Sequence, residues 1–410
     1  MGGKRKIFND PVHGFITVPY EILYQIVDDP WFQRLRRIKQ LGLTDYVYPG
    51  ASHTRFHHAL GATYLMQRAI DILKIKGQDI SPEEEKAALL AILLHDIGHG
   101  PYSHTLESCL IGGVSHEQLS ISYMHAFNEK FDGELDMAIQ IFEGTYKKQF
   151  LHDLLSSQLD VDRLDYLSRD SFFTGVSEGV VGIGRIIEML DVRNGRLVVE
   201  AKGLYSIERF ITARRLMYWQ VYLHKTVLCV EHMMVKAVQR ARELFNNGMD
   251  LEASASLKYF LKNEPDRSAF EPNGEALHHF SKLDDHDLML AFKNWMDNDD
   301  IILSHLCESI INRHLFKIEM QSSDFDPAKV QKIRAAIQDD FGLQEKDIHY
   351  MLIKDRTSNH AYDQSKGKIT ILHKDESLKD FSEESDHGDL NSIIEPVSKH
   401  YICYPKSLTI

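Results

Sequence analysis

Cysteine is scarce in this chain of 410 residues. There are four, Cys109, Cys229, Cys307 and Cys403, and no two are near one another in sequence. Without a CxxC pair the chain offers neither a cysteine-built zinc site nor a disulfide framework, and it suits a reducing compartment. Long apolar runs are missing too. Nothing approaches the roughly 20 residues of a membrane span, and the charged first residues lack the apolar stretch of a signal peptide. The Met-Gly-Gly start has Lys6 where a myristoylation signal has Ser or Thr. A cytoplasmic protein without membrane partners is expected. Positive charge is in short supply: the formal net charge is −13, which argues against a broad nucleic-acid surface and leaves room only for local basic pockets. No internal repeat is found.

What is present is an ordinary globular composition, long enough for one large domain or two to three smaller ones. The 22 histidines are many and clustered, which points to metal or phosphoryl chemistry. Along the chain, residues 5–18 read as a hairpin, followed by short helices over 20–28 and 30–40 and an extended Tyr46–Gly50. A helix is expected over 54–76. Ser81-Pro82-Glu83-Glu84 starts another that runs into His95, with a cap, a proline in the first turn and early acids. Further helices are expected near 103–110, 116–130, 134–144, 147–156 and 162–172. A hairpin should turn at Asn194-Gly195, before a continuous helix over 203–246 and others near 251–263, 285–297 and 300–312. Strands near 316–320, 349–353 and 368–372 with a helix at 327–340 suggest a small α+β part, and residues 374–392 read as a solvated loop. The expectation is a mainly α protein, divided as 1–50 (hairpin and helices, a regulatory or interface region), 51–248 (catalytic core and long helix), 249–312 (helical extension) and 313–410 (α+β C-terminal subdomain).

The chemistry concentrates at Leu89–His104. The run Ala87–Leu94 is too apolar for a surface helix and should be buried. It ends in His95-Asp96, and Gly98, Gly100 and Pro101 then break it. Imidazole and carboxylate on one rigid support suit a transition metal or Mg, although a single His-Asp pair can also merely satisfy a helix end. Two companions strengthen the metal reading. Arg55, His57 and His58 open the helix after residue 54, where a helix N-terminus also attracts anions. The segment Leu159–Asp170 carries Asp162, Asp165, Tyr166, Arg169 and Asp170 at near-helical spacing. Together His58, His95, Asp96 and Asp162 supply two imidazoles and two carboxylates, enough for one metal with an open position. His99 and His104 are placed for acid–base or phosphate contacts, and Glu107 lies three residues past His104, within reach on a helix.

These residues resemble the H…HD…D signature of HD-domain metal-dependent phosphohydrolases, giving a mainly α fold with an HD-domain helical core. Asn9–Gly14, Trp31–Gly42, Tyr48–His53 and Leu94–His104 look like the dNTP triphosphohydrolase branch, which includes the animal enzymes with a SAM domain ahead of the HD domain. The likeness runs through about residues 5–240, and no SAM domain is readable before residue 5. The resemblance implies that His58, His95, Asp96 and Asp162 hold one transition metal ion (Fe, Mn, Zn or Ni), with Mg beside the substrate phosphates. His104 becomes the general acid, Glu107 its partner where the family has Asp, and His99 and His116 phosphate contacts. Arg55 falls at an α-phosphate contact, Arg163 where the animal enzyme has Lys, Arg214 at the γ-phosphate, and Gln40 and Asp170 at the sugar 3′-hydroxyl. Tyr222 stands where a tyrosine packs on the deoxyribose and excludes a 2′-hydroxyl. Tyr166, His224 and Lys225 complete the substrate-binding set. Lys6, Asp28, Gln33 and Arg36 match a guanine-nucleotide activator site at a subunit interface, so a homo-oligomer, dimer or tetramer, is implied.

The expected reaction is dNTP plus water to deoxynucleoside plus triphosphate. The rivals are an HD phosphohydrolase acting on a nucleoside monophosphate, cyclic dinucleotide or alarmone, and a non-catalytic nucleotide-sensing module.

Overall fold

Every residue from Ala87 to Leu94 is buried, so the helix Pro82–Leu94 runs through the middle of the core rather than along its surface. Its start is fixed as expected: Ser81 Oγ accepts from the Glu84 amide and Glu84 Oε2 accepts from the Ser81 amide, a reciprocal cap. The computed structural model describes residues 6–359, 362, 367–384 and 397–408. Helix Arg55–Ile75 packs along Pro82–Leu94 on one side and along helix Val161–Thr174 on the other. These three bring His58, His95-Asp96 and Asp162 to one place. Gly61 permits the second contact: a Cβ there would lie 2.0 Å from Asp165 Oδ1 and 2.2 Å from Arg169 Nη2. The HD turn is held from behind by the fully buried Arg34, whose guanidinium donates to Ile97 O at 2.7 Å and to Leu283 O at 3.2 Å.

Among the described residues helices dominate, with three small sheets. The N-terminal hairpin pairs Lys6–Asp10 with Gly14–Val18. The second hairpin pairs Leu190–Arg193 with Arg196–Glu200 around the expected Asn194-Gly195 turn. Arg196–Glu200 also pairs in parallel with Thr370–Leu372, which pairs with Leu378–Asp380. The third sheet has Val397–Tyr404 in the middle, between Lys317–Gln321 and Ile353–Asn359. Helix Pro327–Phe341 lies where a helix was expected.

Several expectations are corrected. The helix over 30–40 is short: Pro30–Gln33 is α-helical and Arg34–Arg37 is a 3₁₀ turn. Tyr46 ends a 3₁₀ turn rather than starting an extended segment. The continuous helix over 203–246 is two helices, Leu204–Met217 and Lys225–Asn246, joined by a π-helical turn Tyr218–Tyr222 and a break at Leu223-His224. Residues 345–350 form a 3₁₀ helix, and the strand begins at Ile353. Within the expected loop, Leu378–Asp380 is a strand and Phe381–Glu384 a helical turn, while residues 385–392 lie outside the described residues. Sequence reading also missed the helices Ile183–Glu188 and Glu275–Phe280 and the strand Val397–Tyr404.

Candidate active site

The side chains of His58, His95 and Asp162 converge. His58 Nε2 lies 3.3 Å from His95 Nε2 and 3.0 Å from Asp162 Oδ1, and His95 Nε2 lies 3.5 Å from the same oxygen. Asp96 stands beside them, with Oδ1 3.3 Å from His95 Nε2 and Oδ2 3.8 Å from His58 Nε2. Both imidazoles are fixed through their other nitrogens. His58 Nδ1 meets Asp165 Oδ2 at 2.8 Å and His95 Nδ1 meets Ile92 O at 2.6 Å. With Nδ1 donating in each, the neutral imidazoles turn their Nε2 lone pairs toward each other, and a cation between them would take the place of a proton. Ligand atoms about 2.1 Å from a common ion stand about 3–3.5 Å apart, so the residues present fit a divalent metal. Burial opposes charge on His58, yet Asp162 and Asp165 together push its pKa up to about 10. His58 and His95 hold Asp162 below the usual carboxylate range against its own burial.

Asp165 carries more than His58. It also meets His13 Nε2 at 2.6 Å and accepts from Arg169 Nε at 2.9 Å, and Arg169 Nη1 donates to Asp10 at 2.7 Å. All of this is buried. The N-terminal hairpin is thus bonded to the support of a metal-capable histidine. Sequence reading gave no role to Asp10, His13, Asp165 or Arg169, although Asp165 and Arg169 stand one helical turn apart, the spacing of an ion pair.

A second cluster adjoins the first. His99 Nε2 lies 3.2 Å from Asp96 Oδ1, and its Nδ1 meets Ser103 Oγ. His116 stacks on His99 with ring centroids 3.9 Å apart, and His104 stands edge-on to both. Gly98 makes room, since a Cβ would lie 2.1 Å from His116 O. Glu107 engages His116 rather than His104: it accepts from the His116 amide at 2.8 Å and meets its Nδ1 at 3.3 Å, while His104 Nδ1 is 4.0 Å away. The helix carrying His104 starts from Tyr102 in the left-handed region (φ 47°), a strained conformation for a bulky residue, held by the bond from its amide to Asp285 Oδ1 at 3.0 Å. The His104 side chain is 71 % exposed yet stands inside a concave cavity. The enclosing walls, then Arg55 and His116, push its pKa below the ordinary histidine value.

Both clusters open into a cavity of about 540 Å³, within the range of small-molecule sites. Of the expected substrate contacts, Gln40, Arg55, Tyr166, Asp170 and Tyr222 line it. Arg55 Nη1 donates to Asp96 Oδ2 at 2.6 Å, while Arg55 Nε and Gln40 Oε1 are buried without a partner, as groups awaiting a ligand are. Arg163, Arg214, His224 and Lys225 are not among the lining residues. Arg163 Nε donates to Ser157 O and Asp160, Arg214 Nη1 to Gln158, and His224 caps the Lys225–Asn246 helix by accepting from the Thr226 amide. Tyr218 and Glu231, which sequence reading passed over, do line the cavity.

Away from the cavity, Lys6 Nζ donates to Asp28 at 3.1 Å and lies 3.7 Å from the Tyr24 ring centre. Arg36 Nε donates to Gln33 Oε1 at 2.8 Å, with its guanidinium over the Phe56 ring. Among the described residues no helix is long and apolar enough to cross a membrane.

Comparison with known proteins agrees with this geometry. An HD domain matches residues 55–170 and an HD associated region matches residues 181–257. An uncharacterized Bacillus subtilis protein is 31% identical over 424 residues, covering 99% of this chain and 93% of that protein. The Dictyostelium discoideum homolog of the deoxynucleoside triphosphate triphosphohydrolase SAMHD1 is 32% identical over 266 residues, 60% of this chain. This chain covers 51% of that relative's length. The crystal structure of a phosphohydrolase from Bacteroides thetaiotaomicron superposes with a TM-score of 0.94 at 48% identity, over 98% of this chain and 100% of that one. Together with the converging His58, His95, Asp96 and Asp162, these likenesses place the chain in the family of HD-domain phosphohydrolases.

Proposed function

We propose that this chain is a deoxynucleoside triphosphate triphosphohydrolase, converting a dNTP and water to deoxynucleoside and tripolyphosphate. The observation that carries the reading is one cavity of about 540 Å³ lined both by Asp96 and Asp162 of the His/Asp cluster and by Tyr222 and Asp170. A divalent ion held by His58, His95, Asp96 and Asp162 supplies Lewis acidity and lowers the pKa of water. The chain's own residues do the rest. Arg55, with its spare buried Nε, and the stacked pair His99 and His116 receive the phosphates and offset their charge. His104 donates a proton to the 5′ oxygen as its bond to the α-phosphorus breaks. Its lowered pKa in the free protein rises once an anionic substrate lies beside it, which arms it as an acid only in the complex. Asp170 and Gln40 receive the 3′-hydroxyl, and the Tyr222 ring closes the space a 2′-hydroxyl would need.

Activation by a guanine nucleotide at Lys6, Asp28, Gln33 and Arg36, in a dimer or tetramer, belongs to the same proposal. It is supported by the likeness to SAMHD1 relatives. The test is product analysis. Each dNTP is incubated with Mn or Mg, with and without GTP, and the products are separated by ion exchange. Tripolyphosphate and deoxynucleoside are expected; pyrophosphate, orthophosphate or no turnover under every combination of metal and GTP would discard the reading.

A further inference from the structure

Four carboxylates line the cavity: Asp96, Asp162, Asp170 and Glu231. The first three are each bonded or closely approached by histidine, arginine or tyrosine. Glu231 has no such partner, and no ion pair among the described residues includes it. It extends from helix Lys225–Asn246, one turn beyond Leu228, which lines the same wall. A Cβ built on Gly42 would lie 3.9 Å from Glu231 Oε1, so the carboxylate rests near the Leu41–Thr44 turn. Among the described residues its hydrogen-bond partner is Thr105, and the cavity's Lys39 is bonded to Asp45 instead. The Tyr401 hydroxyl is within its electrostatic reach but bonds His232 Nε2 at 2.5 Å. Burial pushes the Glu231 carboxyl up to about 7, with Thr105 opposing. A carboxylate left this way in a cavity costs stability unless a ligand supplies donors.

The cavity lining is therefore chemically mixed. Its cationic and imidazole lining is Arg55, His99, His104 and His116, with Lys39, whose ammonium is bonded to Asp45 at 2.6 Å. Glu231 is bonded to none of them and lines the cavity with the apolar side chains of Leu41, Leu223 and Leu228. Phosphates belong with the cationic and imidazole groups, and Tyr222 and Asp170 take the sugar. The lining that remains, Leu41, Leu223 and Leu228 with the Glu231 carboxylate and the hydroxyls of Thr44 and Thr105, is left for the base.

We propose that Glu231 reads the nucleobase and favours guanine, its two oxygens accepting from N1–H and N2–H. This rests on the dNTP triphosphohydrolase reading above. Only guanine presents two adjacent donors on its pairing edge. Adenine and cytosine set a donor beside a ring acceptor, and thymine sets one donor between two carbonyls, so each turns an acceptor toward a carboxylate oxygen and leaves it unpaired.

The experiment is a competition in one vessel. Equal concentrations of dATP, dCTP, dGTP and dTTP are given to the metal-loaded enzyme at fixed GTP, and each deoxynucleoside is measured against time. Because all four share one enzyme population, their ratios report kcat/KM whatever the state of activation. The expected result is a dGTP preference of roughly tenfold or more that falls below about threefold in Glu231→Gln, whose amide offers a donor beside an acceptor, and also in Glu231→Ala. Equal use of the four dNTPs by the unaltered enzyme, or an unchanged dGTP preference in both variants, would overturn the proposal. Absence of tripolyphosphate from any dNTP would instead overturn the reading beneath it, a distinguishable outcome that takes this proposal with it.

Discussion

The Tyr222 hydroxyl donates to Asp170 Oδ2 at 2.6 Å, while Asp170 Oδ1 meets His53 Nε2 at 2.7 Å. One carboxylate thus fixes the ring expected to select the sugar, and the π-helical turn Tyr218–Tyr222 delivers that ring into the cavity. π-turns often mark functional sites. If the ring is the gate, Tyr222→Ala will narrow the preference for dNTP over NTP by about tenfold or more, while Tyr222→Phe, which keeps the ring, will retain it and lose only several-fold in kcat/KM. Paired dGTP and GTP kinetics decide this; an unchanged preference in Tyr222→Ala would remove Tyr222 from sugar selection.

Asp165 touches no cavity surface but orients His58. Asp165→Asn should weaken binding of Mn by about 10- to 100-fold, measured by calorimetry on protein stripped of metal. Affinity within a factor of two of the unaltered protein would show that the His58 orientation is held by other means.

Gly61 allows two helices to meet at the Asp165–Arg169 pair. Gly61→Ala should destabilise the fold by about 1–3 kcal/mol through overpacking, although alanine favours helix by propensity. Thermal or urea unfolding measures it, and a variant as stable as the original would mean the helices separate without penalty.

Glu231 also predicts a pH signature. Its folded pKa is raised to about 7 from an ordinary 4.5. The folded state therefore holds this proton more tightly than the unfolded state. Its stabilising contribution is complete below about pH 4.5 and is lost as pH rises through about 7. Glu231→Gln should match the original protein near pH 4.5 and exceed its stability by about 1–2 kcal/mol at pH 8.5, a figure reduced from the full shift because the cavity is open to water. Denaturant titrations at the two pH values test it, and a constant difference between the two proteins would refute it.

Much of the site was legible because its signals are local. The apolar run before His95, the capped start at Ser81 and the clustered histidines all lie within short windows, and the helices they imply are present. What escaped reading depends on tertiary contacts. Glu107 lies one turn from His104 in sequence, so local spacing assigns it there; the fold brings the start of helix His116–Lys130 closer, and Glu107 bonds His116. The break at Leu223 interrupts an apolar periodicity that reads as unbroken helix, because one extra residue in a turn leaves no mark on composition. Arg163 and Arg214, though cationic, are turned to Asp160 and Gln158. Residues 397–404 alternate poorly, since the second half of the strand is buried throughout, and the period-two pattern of a half-buried strand is absent.

The parallel pairing of Val199 with Ile371 has a consequence for how the chain is made. Strand Arg196–Glu200 leaves the ribosome well before its outer neighbour exists and waits through about 170 further residues for it. During that interval one edge of the hairpin is an open template for other chains. Shortened versions ending near residue 312 keep that edge bare permanently and should aggregate, even though every residue of the His/Asp cluster is present in them.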